Sequence, residues 1–201
     1  MCGRFQLLRP EDIAIRFETV NTLPDLVASG DVRPTQSIPV VAMGRELALM
    51  HWGITPAWEK DTKKAPLINA RAEGIETKVT FRQPLRFQRC IIPATGFYEW
   101  RAPAGGGRKV KYLFTRADGD LLALAGVFAN YKTLEGLMTR SCVIITTTPN
   151  EVVAPIHDRM PVILSREDED AWLNPDETES EALLPFLRPI SAAALHAPIA
   201  V

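Results

Sequence analysis

The sequence predicts an α+β fold, a mainly antiparallel, barrel-like β-sheet with short flanking helices. Strand-like runs dominate from residue 38 onward, turn chemistry separates several of them, and every segment with helical signals is short. A length of 201 residues, with 46% hydrophobic and 23% charged residues, suits a globular chain with a substantial core. No repeat or linker divides it, so one domain over residues 2–201 is expected.

The elements follow in order. Pro10 to Phe17 reads as a short helix with proline in its first turn. Leu23-Pro24, Ser29-Gly30 and Arg33-Pro34 then mark a long irregular connection. The runs Ile38 to Met43, Glu46 to Trp52, Cys90 to Trp100, Val110 to Arg116, Leu121 to Tyr131, Ser141 to Thr148 and Met160 to Leu164 are expected strands. Gly105-Gly106-Gly107 and Asp118-Gly119 supply turns between them. No helix follows the glycine triplet, so it reads as a hairpin tip and not as a phosphate loop. Ser165-Arg166-Glu167-Asp168 has the form of a capping box, opening a helix through Trp172 that stops near Pro175. Ser180 to Leu187 reads as another short helix.

Composition narrows the function classes. No apolar stretch is long enough to span a membrane, and the arginine-bearing start lacks the apolar core of a secretory signal. A cytoplasmic, nucleoid-associated protein is therefore expected. Cys2, Cys90 and Cys142 form no disulfide framework and no Cys-x-x-Cys pair, and the latter two sit in apolar runs that read as core. His51, His157 and His196 are far apart, so neither a metal nor another cofactor is expected. No glycine-rich nucleotide fingerprint or helix-turn-helix is present. The net charge of −1 conceals an asymmetry: Lys63 to Lys111 holds eleven basic residues against three acids, whereas Ser165 to Glu181 holds eight acids and one arginine. That pattern fits an anionic partner at one surface and a solvated acidic face elsewhere.

The chain opens Met1-Cys2-Gly3-Arg4-Phe5. A small second residue normally permits removal of Met1, which leaves Cys2 with a free α-amine beside its thiol. The amine, with a pKa of about 8, can attack an aldehyde to give an imine, and the thiol can close on that carbon to give a thiazolidine. Cys2 could equally be a thiolate nucleophile with its own amine as base, or an ordinary residue at a frayed end.

Three later segments interrupt their local pattern with polar residues. In Ile68-Asn69-Ala70-Arg71-Ala72-Glu73, an amide, a guanidinium and a carboxylate alternate and share one face of an extended segment. In Gly96-Phe97-Tyr98-Glu99-Trp100, aromatic neighbours desolvate Glu99 and raise its pKa toward the range of proton transfer. In Pro155-Ile156-His157-Asp158-Arg159-Met160-Pro161, His157 can shuttle a proton with Asp158 beside it. Each segment also has a plain structural reading, as the wet face of a strand, a rim ion pair or a hydrogen-bonding histidine.

Taken together with Trp58, these segments resemble the SRAP family, the SOS-response-associated peptidases or abasic-site processing proteins, from Cys2 to about Leu164. The resemblance implies a single SRAP domain that binds single-stranded DNA and crosslinks abasic sites through Cys2, shielding them from strand cleavage. Asn69 is then similar to the residue that positions the sugar and the N-terminus, Glu99 to the general acid/base, and His157 to the group that protonates the sugar oxygen. Arg4 and Arg71 resemble phosphate clamps and Trp58 and Trp100 stacking or wedge residues, with Pro34 and Arg159 completing the DNA-contacting set. A lyase side activity and self-cleavage of the leader are further expectations of the resemblance. The implied partner is abasic single-stranded DNA, bound by a monomer with no membrane contact, which leaves room for replication-associated proteins. The chain departs from the family pattern at Asp31-Val32-Arg33-Pro34-Thr35, where Asn-x-Ala-Pro-Thr is usual, and its C-terminal segment lacks an asparagine often found there. Two readings without this capture chemistry stay open: an N-terminal nucleophile amidohydrolase or peptidase, and a non-catalytic module that binds single-stranded DNA.

Overall fold

The computed structural model describes residues 2–56, 65–103, 105–132 and 138–201, with residue 132 described at its backbone only. Among the described residues there are twelve strands: β1 (Phe5–Leu7), β2 (Ser29–Val32), β3 (Ser37–Ala42), β4 (Leu47–Trp52), β5 (Asn69–Arg71), β6 (Arg89–Ala94), β7 (Gly96–Arg101), β8 (Val110–Phe114), β9 (Leu122–Lys132), β10 (Met138–Thr147), β11 (Met160–Pro161) and β12 (Ile199–Ala200). Five of them close into a barrel, running β10-β4-β3-β6-β9 and back to β10. The β4–β10 pair is parallel and the other four pairs are antiparallel. A second, antiparallel sheet runs β12-β8-β7-β1-β2.

β10 is the spine of the molecule. Besides its two barrel neighbours it pairs with β5 in parallel and with β11 antiparallel. Its alignment with β9 and β6 leaves no room at Gly126, where a Cβ would lie 2.7 Å from Val143 O and 2.3 Å from Ile92 Cδ1.

The run expected as one strand from Cys90 to Trp100 is two. β6 belongs to the barrel and β7 to the second sheet, and the chain turns the corner at Thr95, whose N–H donates to Gln6 O at 2.8 Å. Gly96 permits the crossing, because a Cβ there would stand 2.8 Å from Phe114 O. Beyond the corner the rings of Phe97 and Phe114 stack with centroids 4.8 Å apart. The expected strand from Met160 to Leu164 shortens to β11 plus an isolated bridge between Ile163 and Leu124.

The helices are short, as expected. A 3-10 turn at Pro10–Asp12 leads into α1 (Ile13–Arg16). α2 (Arg82–Phe87) lies outside the sequence expectations and carries Pro84 in its first turn, where a missing N–H costs no intrahelical bond. α3 (Arg166–Leu173) starts at Ser165, whose Oγ accepts the Asp168 N–H at 3.3 Å, and α4 (Ser180–Leu183) continues as a 3-10 turn, Leu184–Phe186.

Two charged clusters revise the reading of the charge pattern. The acidic segment is partly internal: buried Glu169 accepts from Arg16 Nη1 at 2.8 Å and Nη2 at 2.6 Å, Asp168 pairs with Arg188, and Asp170 pairs with Arg45. Arg89, from the basic segment, is fully buried and its guanidinium donates to the carbonyls of Leu85, Arg86, Trp172 and Asn174 at 2.6 to 3.0 Å. Those acceptors lie at the C-terminal ends of α2 and α3, where helices leave carbonyls unpaired and favour positive charge. Burial lowers the Arg89 pKa to about 10, so it stays charged at neutral pH.

Candidate functional site

Trp52 organises the ground under the site. Its fully buried ring packs on Phe5 with centroids 5.2 Å apart, and its indole N–H donates to Ile68 O at 3.0 Å. One side chain thus fixes both β1, which carries the N-terminal residues, and the approach to β5, which carries Asn69. Cys2 is far from frayed: it has no exposed surface, and its carbonyl accepts the Asn69 Nδ2–H at 3.0 Å. The same amide nitrogen lies 3.5 Å from Ile144 O on β10, while Asn69 Oδ1 is buried with no hydrogen-bond partner among the described residues.

β7 brings in the carboxylate. The Tyr98 N–H donates to Arg4 O at 3.0 Å, which sets Glu99 beside the first residues of the chain. The Tyr98 hydroxyl, 2.9 Å from Gly30 O and 3.0 Å from Gln6 Oε1, ties β2 to the same frame. Glu99 is 2% exposed, and burial raises its pKa to about 7.

His157 faces it, with Nε2 3.6 Å from Glu99 Oε2. Its Nδ1 accepts the Arg159 backbone N–H at 3.0 Å and lies 3.0 Å from Asp158 Oδ1, so both ring nitrogens have polar neighbours. Burial lowers the His157 pKa. Near pH 7 the pair is therefore a largely neutral imidazole beside a half-protonated acid. The Cys2 thiol is pushed well above its ordinary range by burial and by the charge of Glu99, so at neutral pH it is a thiol and not a thiolate.

Glu99, Trp100, Lys109 and His157 line a cavity of about 390 Å³ among the described residues. Lys109 was not singled out from the sequence. The signal for it lay in the glycine triplet, since a hairpin there pairs Trp100 with Lys111, and Lys109, two residues from Lys111, shares that face.

The expected DNA contacts separate into three groups. Arg71 is exposed at the end of β5, Trp100 is half-buried at the cavity, and Pro34 is half-buried in the turn between β2 and β3. Arg4 and Arg159 are engaged within the protein: Arg4 Nη1 donates to Asp31 Oδ1 at 2.7 Å, and Arg159 grips Glu73 through two bonds of 2.7 and 2.9 Å while also donating to Thr146 O at 2.6 Å. That grip holds the Glu73 carboxyl below its usual range, and it moors the His157 segment to β10. Trp58 lies outside the described residues. Cys90 and Cys142 are fully buried, and burial raises both thiols. The described residues contain no group of three or more His, Cys, Asp or Glu arranged to hold a metal ion, and no helix long and apolar enough to cross a membrane.

A family model described as SOS response associated peptidase (SRAP) matches residues 1–199. Abasic site processing protein YoqW of Bacillus subtilis (strain 168) is 40% identical over 204 residues, covering 98% of this chain and 91% of the relative. Abasic site processing protein YoaM of the same organism is 39% identical over 204 residues, covering 98% and 89%. Among solved structures, a protein from Bacteroides thetaiotaomicron superposes with a TM-score of 0.89 at 25% identity, covering 100% of this chain and 92% of that one.

Proposed function

The chain belongs to the SOS response associated peptidase (SRAP) family, and on that premise we propose that it captures abasic sites in single-stranded DNA as a thiazolidine at Cys2. Its relatives' names, abasic site processing proteins, support the substrate class. The observation that carries the chemistry is the seating of Cys2 beneath the Asn69 amide, next to a carboxyl whose pKa burial raises and an imidazole whose pKa burial lowers.

The steps follow from those protonation states. Once Met1 is gone, the neutral Cys2 amine attacks C1′ of the ring-opened sugar and forms a carbinolamine. The protonated Glu99 gives its proton to the departing hydroxyl, water leaves and an imine remains. The ring opens before that attack: the C1′ hydroxyl passes its proton to the neutral His157 ring, and the imidazolium so formed gives a proton to the ring oxygen as the C1′–O4′ bond breaks. The thiol then adds to the imine carbon, its proton passes to the nitrogen by way of the Glu99 carboxylate, and the five-membered ring closes. An open imine acidifies the neighbouring carbon and permits β-elimination of the 3′ phosphate, whereas the closed ring does not. Strand cleavage by a lyase route is therefore the expected behaviour when the sulfur is absent.

Asn69 holds the Cys2 carbonyl, which fixes the direction of the amine and leaves Oδ1 to accept a hydrogen bond from a sugar hydroxyl. Arg71 and Arg4 meet phosphates and Trp100 offers a ring face to a neighbouring base. Burial of the thiol weighs against the peptidase alternative, since a thiolate nucleophile needs the opposite shift. Trimmed protein mixed with an abasic oligonucleotide is expected to give a covalent species on a denaturing gel, with the intact mass of one sugar-linked adduct. The reading fails if that species does not form, or if Cys2→Ala still yields a stable adduct.

A further inference from the structure

The departure at Asp31 gives the site a feature of its own. β1 and β2 are antiparallel with Phe5 opposite Val32, a register that carries Arg4 and Arg33 toward each other on adjacent strands. Two guanidiniums in that relation repel. Asp31 resolves the conflict by giving one oxygen to each: Oδ1 accepts from Arg4 Nη1 at 2.7 Å, and Oδ2 accepts from Arg33 Nε at 2.9 Å and Nη2 at 2.6 Å. The Arg33 backbone N–H donates to Gln36 Oε1 at 2.7 Å, which holds the turn that presents Arg33. Side-chain exposures of 33% for Arg4, 38% for Asp31 and 58% for Arg33 put the bridge at the surface, where ion pairs are weak and exchangeable.

We infer that Asp31 is an electrostatic brake on DNA-backbone binding, occupying in the free protein the place of a phosphate between Arg4 and Arg33. The inference rests on the reading of this face as a DNA-binding site. An incoming phosphodiester must displace the carboxylate from the two guanidiniums and then lie near its negative charge. Both effects weaken the hold on any strand, damaged or not. Capture by Cys2 is covalent and does not depend on a tight backbone grip once the ring has closed. Undamaged strand, which offers backbone and bases but no aldehyde, bears that cost with no covalent step to offset it. Asp31 thus limits competition from undamaged DNA and leaves commitment to the covalent step.

Anisotropy titrations with fluorescent undamaged oligothymidylate, and with the same strand carrying a non-reactive tetrahydrofuran abasic analogue, test the brake across a salt series. Asp31→Asn is expected to bind both strands about fivefold more tightly at low salt, with a log–log salt slope steeper by about 0.7, the increment for one further phosphate neutralised on a single strand. Asp31→Ser, which removes the amide as well, should give the same gain, and Arg33→Gln should weaken binding more in the Asp31→Asn background than alone. With a reactive abasic strand, excess undamaged competitor should slow crosslinking by Asp31→Asn more than by wild type. Unchanged or weaker binding by both Asp31 variants overturns the brake, and so does a failure of every protein to bind at low salt. Tighter binding of the variants with no crosslink from wild type would sink the capture reading and leave the brake standing. Normal crosslinking without tighter binding has the reverse meaning.

Discussion

Glu99→Gln separates the proton-transfer role of this carboxyl from its shape. Under the proposed mechanism, capture needs a neutral amine and a protonated Glu99. Glu99 titrates at about 7 because burial disfavours its charged form. The rate therefore climbs with pH as the amine loses its proton and falls about tenfold per pH unit once Glu99 has lost its own. The amide cannot donate an acidic proton, so the alkaline fall disappears and the rate at the optimum drops by about 10² to 10⁴. The same substitution should change stability in the opposite direction. The contribution of the neutral acid to folding is fully present below its ordinary value of 4.5 and is lost as pH rises through about 7, a gap worth about 3 kcal/mol. At pH 8 the Glu99→Gln protein should consequently melt at higher temperature than wild type, and at pH 4 the difference should vanish. Single-turnover crosslinking of an abasic oligonucleotide between pH 5.5 and 9, quantified on denaturing gels, reads the first effect, and thermal melts at both pH values read the second. A Glu99→Gln protein that keeps both the wild-type rate and its bell-shaped profile would refute the assignment.

Asn69→Ala removes the donor to the Cys2 carbonyl and frees the direction of the amine, so crosslinking in single-turnover assays should slow by about 10- to 100-fold, with little change in binding of a tetrahydrofuran strand. Arg89→Met leaves four helix-end carbonyls without their donor, and urea unfolding should show a loss of about 2 to 4 kcal/mol, since methionine refills volume but not hydrogen bonds. Gly96→Ala drives a Cβ to 2.8 Å from the Phe114 carbonyl at the corner between the sheets, with an expected cost of about 1 to 3 kcal/mol by the same measurement and a displaced Glu99 that slows capture.

Much of this arrangement was legible because the signals were local. The capping serine at 165, the hairpin at the glycine triplet and the strands expected from Glu46 to Trp52 and from Ser141 to Thr148, found as Leu47–Trp52 and Met138–Thr147, follow from residue types within a few positions of one another. The losses have physical causes. β1, β5 and β12 have only two or three residues each, too few for periodicity, and they exist because a neighbouring strand supplies their hydrogen bonds. The corner at Thr95 was invisible because apolar residues run unbroken through it, β6 and β7 being buried alike. Pro84 masked α2. In the site, the residue types at Cys2, Asn69, Glu99 and His157 pointed to chemistry, but the seating of Cys2 under Asn69 depends on Trp52, a tryptophan that reads as ordinary core. The engagement of Arg159 with Glu73 and of Arg4 with Asp31 could not be read either, since pairing across strands needs a register that composition does not contain.

β10 carries Ile144 O toward the Asn69 amide and Thr146 O to Arg159, while its other contacts close the barrel. Its amides are hydrogen-bonded on both sides along much of its length, so they should exchange with solvent only through global unfolding, on the slowest timescale the molecule has. Two supports of the site are consequently fixed to the part of the protein that breathes least. The second sheet shares no ladder with the barrel, so, if DNA binds as proposed, deuterium uptake should change there and in the turn after β2 while β10 stays silent.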